Sequence, residues 1–339
     1  MTTTLELGAL ERGGGRVLLV CLDNLGDLVF ASSLAPPLRE RFPGAELTLW
    51  CKTYTEDIAR LVPGVDTVIA SDPFWDRSPG RGKGKLRPFL RAVRALRQRR
   101  FDLAVLAFAP WRTAAAVAMT GALTRLGLER RRNRPFLTLA LPPADRRRPV
   151  LRELARLLEP LAAAPPALRY RLDAASLAPR RARLLAAVPD GPIAALHAFA
   201  SKRNRCVDVR EWIAVADTLA ARGWVPLWIG SGAELAELRA VAGGGRGRER
   251  DGWLYGDRLL EGSLAEMAAA LSLARLFIGH DSGPLHVAAA LGVPCVGLFA
   301  PGEPQRTFPQ GPGPSRVLAR PSPAGIAADD ILAAADTLR

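Results

Sequence analysis

Histidine, lysine and cysteine are scarce in this chain of 339 residues, and each scarcity excludes a class of chemistry. The three histidines, His197, His280 and His286, show no metal-ligand spacing, so no metal centre is expected. Cys21, Cys51, Cys206 and Cys295 are scattered, two of them inside apolar runs. That pattern predicts reduced, mostly buried thiols and neither a disulfide framework nor a Cys-x-x-Cys metal site. No window approaches the roughly 18 apolar residues of a membrane span, and the opening MTTTLELGALERGGG lacks the basic and apolar segments of a leader. A cytoplasmic protein with a frayed N-terminus is the expectation. Aromatic residues make up 6% of the chain and do not interleave with its basic clusters, so no nucleic-acid partner is expected.

Arginine is abundant instead. Of 47 basic residues all but Lys52, Lys83, Lys85 and Lys202 are arginine, and the formal net charge is +14. With many Ala, Gly and Pro beside it, this skew fits a GC-rich coding sequence, which makes net charge a poor witness for an anionic partner. Three clusters stand out, over 77–87, 94–100 and 125–134. They are solvated faces, or they meet an anionic acceptor or a lipid surface. Hydrophobic residues make up 49%, enough for a core in each of two domains.

Strand-like and helix-like segments alternate along the chain, which predicts an α/β protein with parallel sheets. The run RVLLVCL over 16–22 reads as a buried strand, followed by the turn Asp23-Asn24-Leu25-Gly26-Asp27 and a helix over 28–42 that Pro36 and Pro37 should kink or restart. Further strands are expected near 46–51, 67–70 and 102–108, with helices near 54–61, 88–99 and from 112. Pro, Ala and Arg crowd the stretch 141–190, where the interdomain region is placed. A second series follows, with strands at 193–197, 224–229, 275–279 and 295–299. Helices alternate with them at 209–222, 233–242, 263–273 and 284–291, and a Gly-rich loop spans 243–247. The segment after Pro301 reads as loop and 327–338 as a last helix. Two doubly wound halves facing a central cleft is the implied architecture.

One corner in the second half carries the most information. In FIGHDSGPLHVAAALGVPCVGLFAP a strand turns into a helix at Asp281, Ser282 and Gly283, with Pro284 in the first turn and His286 one turn in. Such a corner points unpaired amides at an anion, for which a phosphate is the natural guest. The plainer alternative is that Asp281 or Ser282 only caps the helix.

Three stretches carry a family resemblance: LDNLGDLVFASSLAPPLRERFPGAEL, HAFASKRNRCVDVREW, and GSLAEMAAALSLARLFIGHDSGPLHVAAALGVPCVGLFAP. In this order they resemble the family 9 glycosyltransferases, the ADP-heptose:lipopolysaccharide heptosyltransferases. The resemblance implies a GT-B architecture of two Rossmann-like domains and an inverting transfer that uses no metal or other cofactor, the nucleotide sugar being a co-substrate. The implied boundaries are a disordered tail over 1–15, an acceptor-binding domain over 16–165, a linker over 166–190, a nucleotide-sugar domain over 191–325 and a C-terminal helix over 326–339 that packs back on the first domain.

The family's catalytic base falls on Asp27, with Asp23 as competitor and Gly26 keeping the turn open; the alternative is that Asp27 caps its helix. A family Lys that balances charge on the leaving diphosphate falls by spacing on Arg205, or on Lys202 from a shifted loop, and Val207-Asp208 stands where Trp-Pro is usual. In GSGAE, Glu234 matches a Glu that contacts the nucleotide ribose, against the alternative of a first-turn Glu favoured by the helix dipole. Ser282 and Gly283 would hold the diphosphate, Asp281 the donor sugar, and His286 a phosphate or the Asp281 loop. His197 and His280 are weaker candidates.

The leading expectation is therefore transfer of a heptose or related sugar from ADP-heptose to a glycan such as the lipopolysaccharide inner core, with peripheral contact at the cytoplasmic face of the inner membrane. A small secondary-metabolite acceptor of the aminoglycoside type, or another nucleotide sugar, is the alternative within the family. A cationic acceptor of that kind would want acidic residues lining its site. A non-catalytic nucleotide-sugar or polyanion-binding protein is the alternative outside it.

Overall fold

The computed structural model describes residues 7–76, 84–165, 167–200, 202–242, 254–255 and 263–338. Arg77 to Lys83 of the first basic cluster and the Gly-rich loop over 243–247 lie outside the described residues. The chain divides into two compact units, Met1–Tyr170 and Arg171–Arg339.

In the first unit six parallel strands form one sheet in the order β3-β2-β1-β4-β5-β6: β1 Arg16–Cys21, β2 Glu46–Cys51, β3 Thr67–Ala70, β4 Leu103–Leu106, β5 Thr124–Leu128 and β6 Leu139–Leu141. β1 and β4 are wholly apolar after Arg16 and almost wholly buried, as the inner strands of a sheet covered on both faces must be. The stretch expected as one helix over 28–42 is two. Leu25–Ser32 ends before the prolines, and Ala35–Arg41 restarts with proline in its first turn, where the missing N–H costs nothing. Helix Leu86–Arg99 buries Phe89, Val93 and Leu96 on one stripe, contains no acidic residue, and turns Arg87, Arg91, Arg94 and Arg97 outward.

The second unit repeats the same winding, in the order β12-β11-β10-β7-β8-β9: β7 Ile193–His197, β8 Val225–Trp228, β9 Leu254–Tyr255, β10 Leu276–His280, β11 Cys295–Phe299 and β12 Ser315–Ala319. Helix Val209–Ala221 buries Trp212, Val215, Ala216 and Leu219 against this sheet, the spacing of one helical face. Trp212 and Trp228 meet edge to face at 6.3 Å in that core. Gly279 lets β10 run close to β7, since a Cβ there would lie 2.7 Å from the Phe277 ring and 3.2 Å from the His197 Cβ.

Several expectations are corrected. Residues 8–11 of the expected tail form a helix with Leu10 buried. The expected linker contains helix Ala178–Ala187, and Arg180 and Arg183 of it pair with the buried Glu266 of helix Leu264–Leu273. The segment after Pro301, expected to be loop, supplies β12. Strands β5, β6 and β9 were not anticipated. The last helix, Ala328–Asp336, buries Ile331, Leu332 and Ala335 in the core of its own unit. All four cysteines are free, three buried and Cys206 half-buried. Among the described residues no helix is long and apolar enough to cross a membrane.

Candidate functional site

In each sheet the winding reverses at one place, between β1 and β4 in the first unit and between β7 and β10 in the second. The carboxyl ends of strands leave a crevice at such a reversal, because neighbouring connections depart to opposite faces. The predicted residues gather at both crevices.

In the first unit Asp23 follows β1, and Asp27 lies in the first turn of helix Leu25–Ser32. The Asn24 N–H donates to Asp27 Oδ2 at 3.2 Å, so Asp27 fulfils the capping alternative while remaining half-buried beside Asp23. Gly26 lies in the first helical turn, without a left-handed backbone, and so does not itself form the turn. Asp23 Oδ2 is buried with no hydrogen-bond partner among the described residues. Burial, and then the charge of Asp27, push the Asp23 carboxyl up from 3.8 to about 7, against the pull of Lys52 and Arg130. Two carboxylates one helical turn apart thus differ in environment, and Asp23 is poised to exchange a proton near neutral pH.

Asp23 also lines a cavity of about 280 Å³, with Lys52, Trp75, Asp76, Trp111 and Arg112 among its walls. Lys52 is 5% exposed and its Nζ pairs with Asp76 at 2.6 Å. None of these wall residues was predicted. Lys52 was legible in principle, since it directly follows β2 and is one of four lysines in the chain, the only one at a strand end among the described residues.

In the second unit β10 ends in His280, and Asp281, Ser282 and Gly283 lead into helix Gly283–Ala290. Asp281 is the hub. Its Oδ2 accepts from Thr307 Oγ1 at 3.3 Å and lies 4.0 Å from Arg205 Nη1, and its Oδ1 lies 3.5 Å from the buried His286 Nε2. Ser282, extended at the N-cap, donates its hydroxyl to the His280 carbonyl at 3.1 Å and sits 3.3 Å from His197 Nδ1. The first-turn amides of this helix have no partner within the helix and carry its positive dipole end.

Arg205 ends a short 3-10 turn that begins after Lys202 and is tethered by Arg203 to Glu237. Arg205 is thus brought to Asp281, whereas Lys202 stands exposed at the start of the turn. Of the departing pair Val207-Asp208, the Asp208 side chain has a structural role, whereas position 207 contributes a backbone N–H that any residue but proline supplies. The Val207 N–H donates to His280 Nε2 at 3.3 Å, and Asp208 caps helix Val209–Ala221 by accepting from the Arg210 N–H at 2.8 Å. Glu234 accepts from the Ser231 N–H at 2.7 Å and hydroxyl at 2.9 Å, as the first-turn alternative requires.

The three histidines fall together here. Burial holds His197 down at about 4 and His280, with His197 as a second cause, at about 3, so both are neutral imidazoles at neutral pH. Val207 fixes the His280 tautomer by using its Nε2 as acceptor. Among the described residues no group of three or more His, Cys, Asp or Glu is placed to hold a metal ion.

Residues 89–323 match the family described as Glycosyltransferase family 9 (heptosyltransferase). No curated protein matches the chain. Among solved structures, a family 9 glycosyl transferase from Veillonella parvula is 18% identical with a TM-score of 0.83, covering 97% of this chain and 98% of that one. E. coli ADP-heptose lps heptosyltransferase II is 18% identical with a TM-score of 0.79, over 95% and 98%. E. coli heptosyltransferase WaaC with ADP is 17% identical with a TM-score of 0.76, over 96% and 100%. The two parallel sheets are therefore those of a GT-B glycosyltransferase.

Proposed function

We propose that this chain, which belongs to glycosyltransferase family 9, transfers a heptose or related sugar from ADP-heptose to a hydroxyl of a glycan acceptor such as the lipopolysaccharide inner core. The observation that carries the reading is the setting of Asp281, bracketed by Arg205 and His286 in front of the amides of helix Gly283–Ala290. A diphosphate needs fixed donors and a cation and a sugar needs a hydroxyl acceptor, and both requirements meet in this corner. Neighbours in fold are described as an ADP-heptose heptosyltransferase and as a heptosyltransferase with ADP.

In this reading Ser282 and Gly283 hold the diphosphate through backbone amides, Arg205 neutralises it, Asp281 binds the donor sugar and Glu234 the ribose. His286 steadies Asp281. The acceptor hydroxyl gives its proton to Asp27 as its oxygen attacks the anomeric carbon. The carbon–oxygen bond to the diphosphate breaks, its electron pair leaves with ADP, and the configuration inverts. Arg205 and the amides act most strongly on charge that grows on the leaving group, so they lower the barrier and do not merely hold substrate. No metal is required on this route, and the exposed arginines of helix Leu86–Arg99 suit an anionic acceptor or the membrane face that presents it.

The test offers a panel of nucleotide sugars with and without glycan acceptors and follows nucleotide release, with Asp27→Ala as control. Release of ADP from ADP-heptose that depends on acceptor and on Asp27 is the expected result, unchanged by chelator. Turnover of Asp27→Ala at the wild-type rate overturns the base assignment. Preference for another nucleotide sugar overturns the donor.

A further inference from the structure

The cavity beside Asp23 does not stand alone. An apolar groove of about 870 Å³ adjoins it, walled by Phe74, Phe89, Leu90 and Met119. Trp75, Trp111 and Arg112 line both spaces, so the two lie side by side with a common wall. Phe74, Leu90, Trp111 and Met119 are each 41% to 49% exposed. Large apolar side chains scattered singly over a surface need no explanation, but several converging on one concavity mark a site that covers them. The floor is rigid, because Trp75 packs edge to face on Phe89 at 5.1 Å and Phe89 stacks on Trp50 at 5.7 Å.

The two spaces differ in chemistry. The cavity is lined by Asp23, whose buried Oδ2 has no hydrogen-bond partner among the described residues, by Arg112 and by two indole rings, the set that a sugar ring uses through its hydroxyls and its apolar face. Asp76 is already paired with Lys52, which leaves no excess of free carboxylate for a polycationic guest. The groove offers hydrocarbon and aromatic surface, edged by Arg112 and by the acid-free helix Leu86–Arg99. A bare glycan has nothing to place in it.

We propose that cavity and groove are the two halves of one acceptor site: the cavity seats the sugar ring that receives the transferred group, and the groove seats an apolar, uncharged or anionic aglycone joined directly to that ring. Asp23 is the side chain that grips the ring, next to Asp27, and the assignment rests on the reading of Asp27 as the base. The substrate class is thus an amphipathic glycoside. It narrows the glycan acceptor of the proposed function to one whose apolar part adjoins the accepting ring, and it differs from an aminoglycoside, which has none.

Methyl and octyl glucoside, the latter below its micelle-forming concentration, are titrated into the full chain by calorimetry, and ADP release from ADP-heptose is followed with each as acceptor. The octyl glycoside is expected to bind at least about tenfold more tightly, a ratio that needs only about two buried methylenes. That ratio collapses towards one in Leu90→Asp and Met119→Asp, both at exposed positions where the fold tolerates a charge, and Asp23→Asn weakens both glycosides. Equal binding of the two by the wild type, or an octyl advantage that survives both groove variants, overturns the proposal. So does binding to phosphatidylglycerol vesicles that the same variants abolish without any octyl preference, which assigns the groove to a lipid surface. Octyl preference in binding without ADP release overturns the ADP-heptose donor and leaves the acceptor site standing; ADP release without octyl preference does the reverse.

Discussion

The turn at Asp23–Asp27 and the corner at Asp281–His286 occupy equivalent places, each at the reversal of a six-stranded parallel sheet, yet Asp23 at the first and His197 and His280 beside the second shift in opposite directions. The first raises proton affinity, with Asp23 pushed up to about 7 by burial and by Asp27. The second lowers it, with His197 and His280 held at about 4 and about 3 by burial. Desolvation is the leading cause in all three, and it acts against whichever form is charged. In the first crevice the Asp23 carboxyl therefore exchanges its proton near neutral pH. In the second crevice His197 and His280 are uncharged, so in the proposed reading the attraction for an anion comes from the helix amides and Arg205 and not from these two imidazoles. One winding, used twice, thus supplies two crevices whose buried ionisable groups shift in opposite senses, and the proposed division into a base and a leaving-group site builds on that difference.

The comparison breaks most visibly at Asp27. Replacing it by Ala is expected to lower kcat by about a thousandfold, the usual worth of a positioned base, which initial rates of ADP release would show. If the rate falls less than tenfold while Asp23→Asn abolishes turnover, the base is Asp23. On the other side, Arg205→Ala is expected to weaken ADP binding by about 10- to 100-fold, as loss of a charge-assisted contact does, with Lys202→Ala nearly silent. Calorimetric titration with ADP distinguishes the two cations, and a larger loss at Lys202 would reverse their roles.

The opposite tuning also predicts opposite pH dependences of stability. Asp23 binds its proton more tightly folded than unfolded, so its contribution is fully present below about 3.8 and is lost as pH rises through about 7. His197 and His280 bind theirs less tightly when folded, so their contribution is present above 6.5 and is lost as pH falls towards about 4 and about 3. Denaturant midpoints measured from pH 4 to 8 should rise with pH more steeply in Asp23→Asn than in the wild type, and less steeply in His280→Gln. Parallel curves for all three proteins would remove the contrast. The smallest effect concerns the departure from the family pattern in the middle motif. Asp208→Ala should cost about 1 kcal/mol through loss of the helix cap, read as a shift in midpoint.

The inner strands were legible because a buried parallel strand is written as an unbroken apolar run. β2, β3, β7 and β11 begin and end at the expected residues. β5, β6 and β12 were missed for the complementary reason. They lie at or near sheet edges, they are partly exposed, and β5 and β12 carry Arg125 and Arg316. Only pairing with a neighbour makes such segments strands. Helix Ala178–Ala187 was hidden among Pro, Ala and Arg because its stability comes from packing on helix Leu264–Leu273, with Glu266 buried beneath its arginines. At the candidate site, Asp27, Asp281 and Ser282 could be found from their positions where a strand gives way to a helix. Lys52, Asp76, Trp111 and Thr307 could not be assembled with them, being brought in by other strands and loops.

Local pattern is sufficient for some of this molecule: apolar runs broken by Asp and Gly make parallel strands and strand-to-helix corners, since each is decided within about ten residues of chain. It is insufficient for the proton affinity of Asp23, the neutrality of His280 and the meeting of Arg205 with Asp281. Those properties depend on burial and on distances between residues far apart in sequence, and they exist only once the sheets have closed around them.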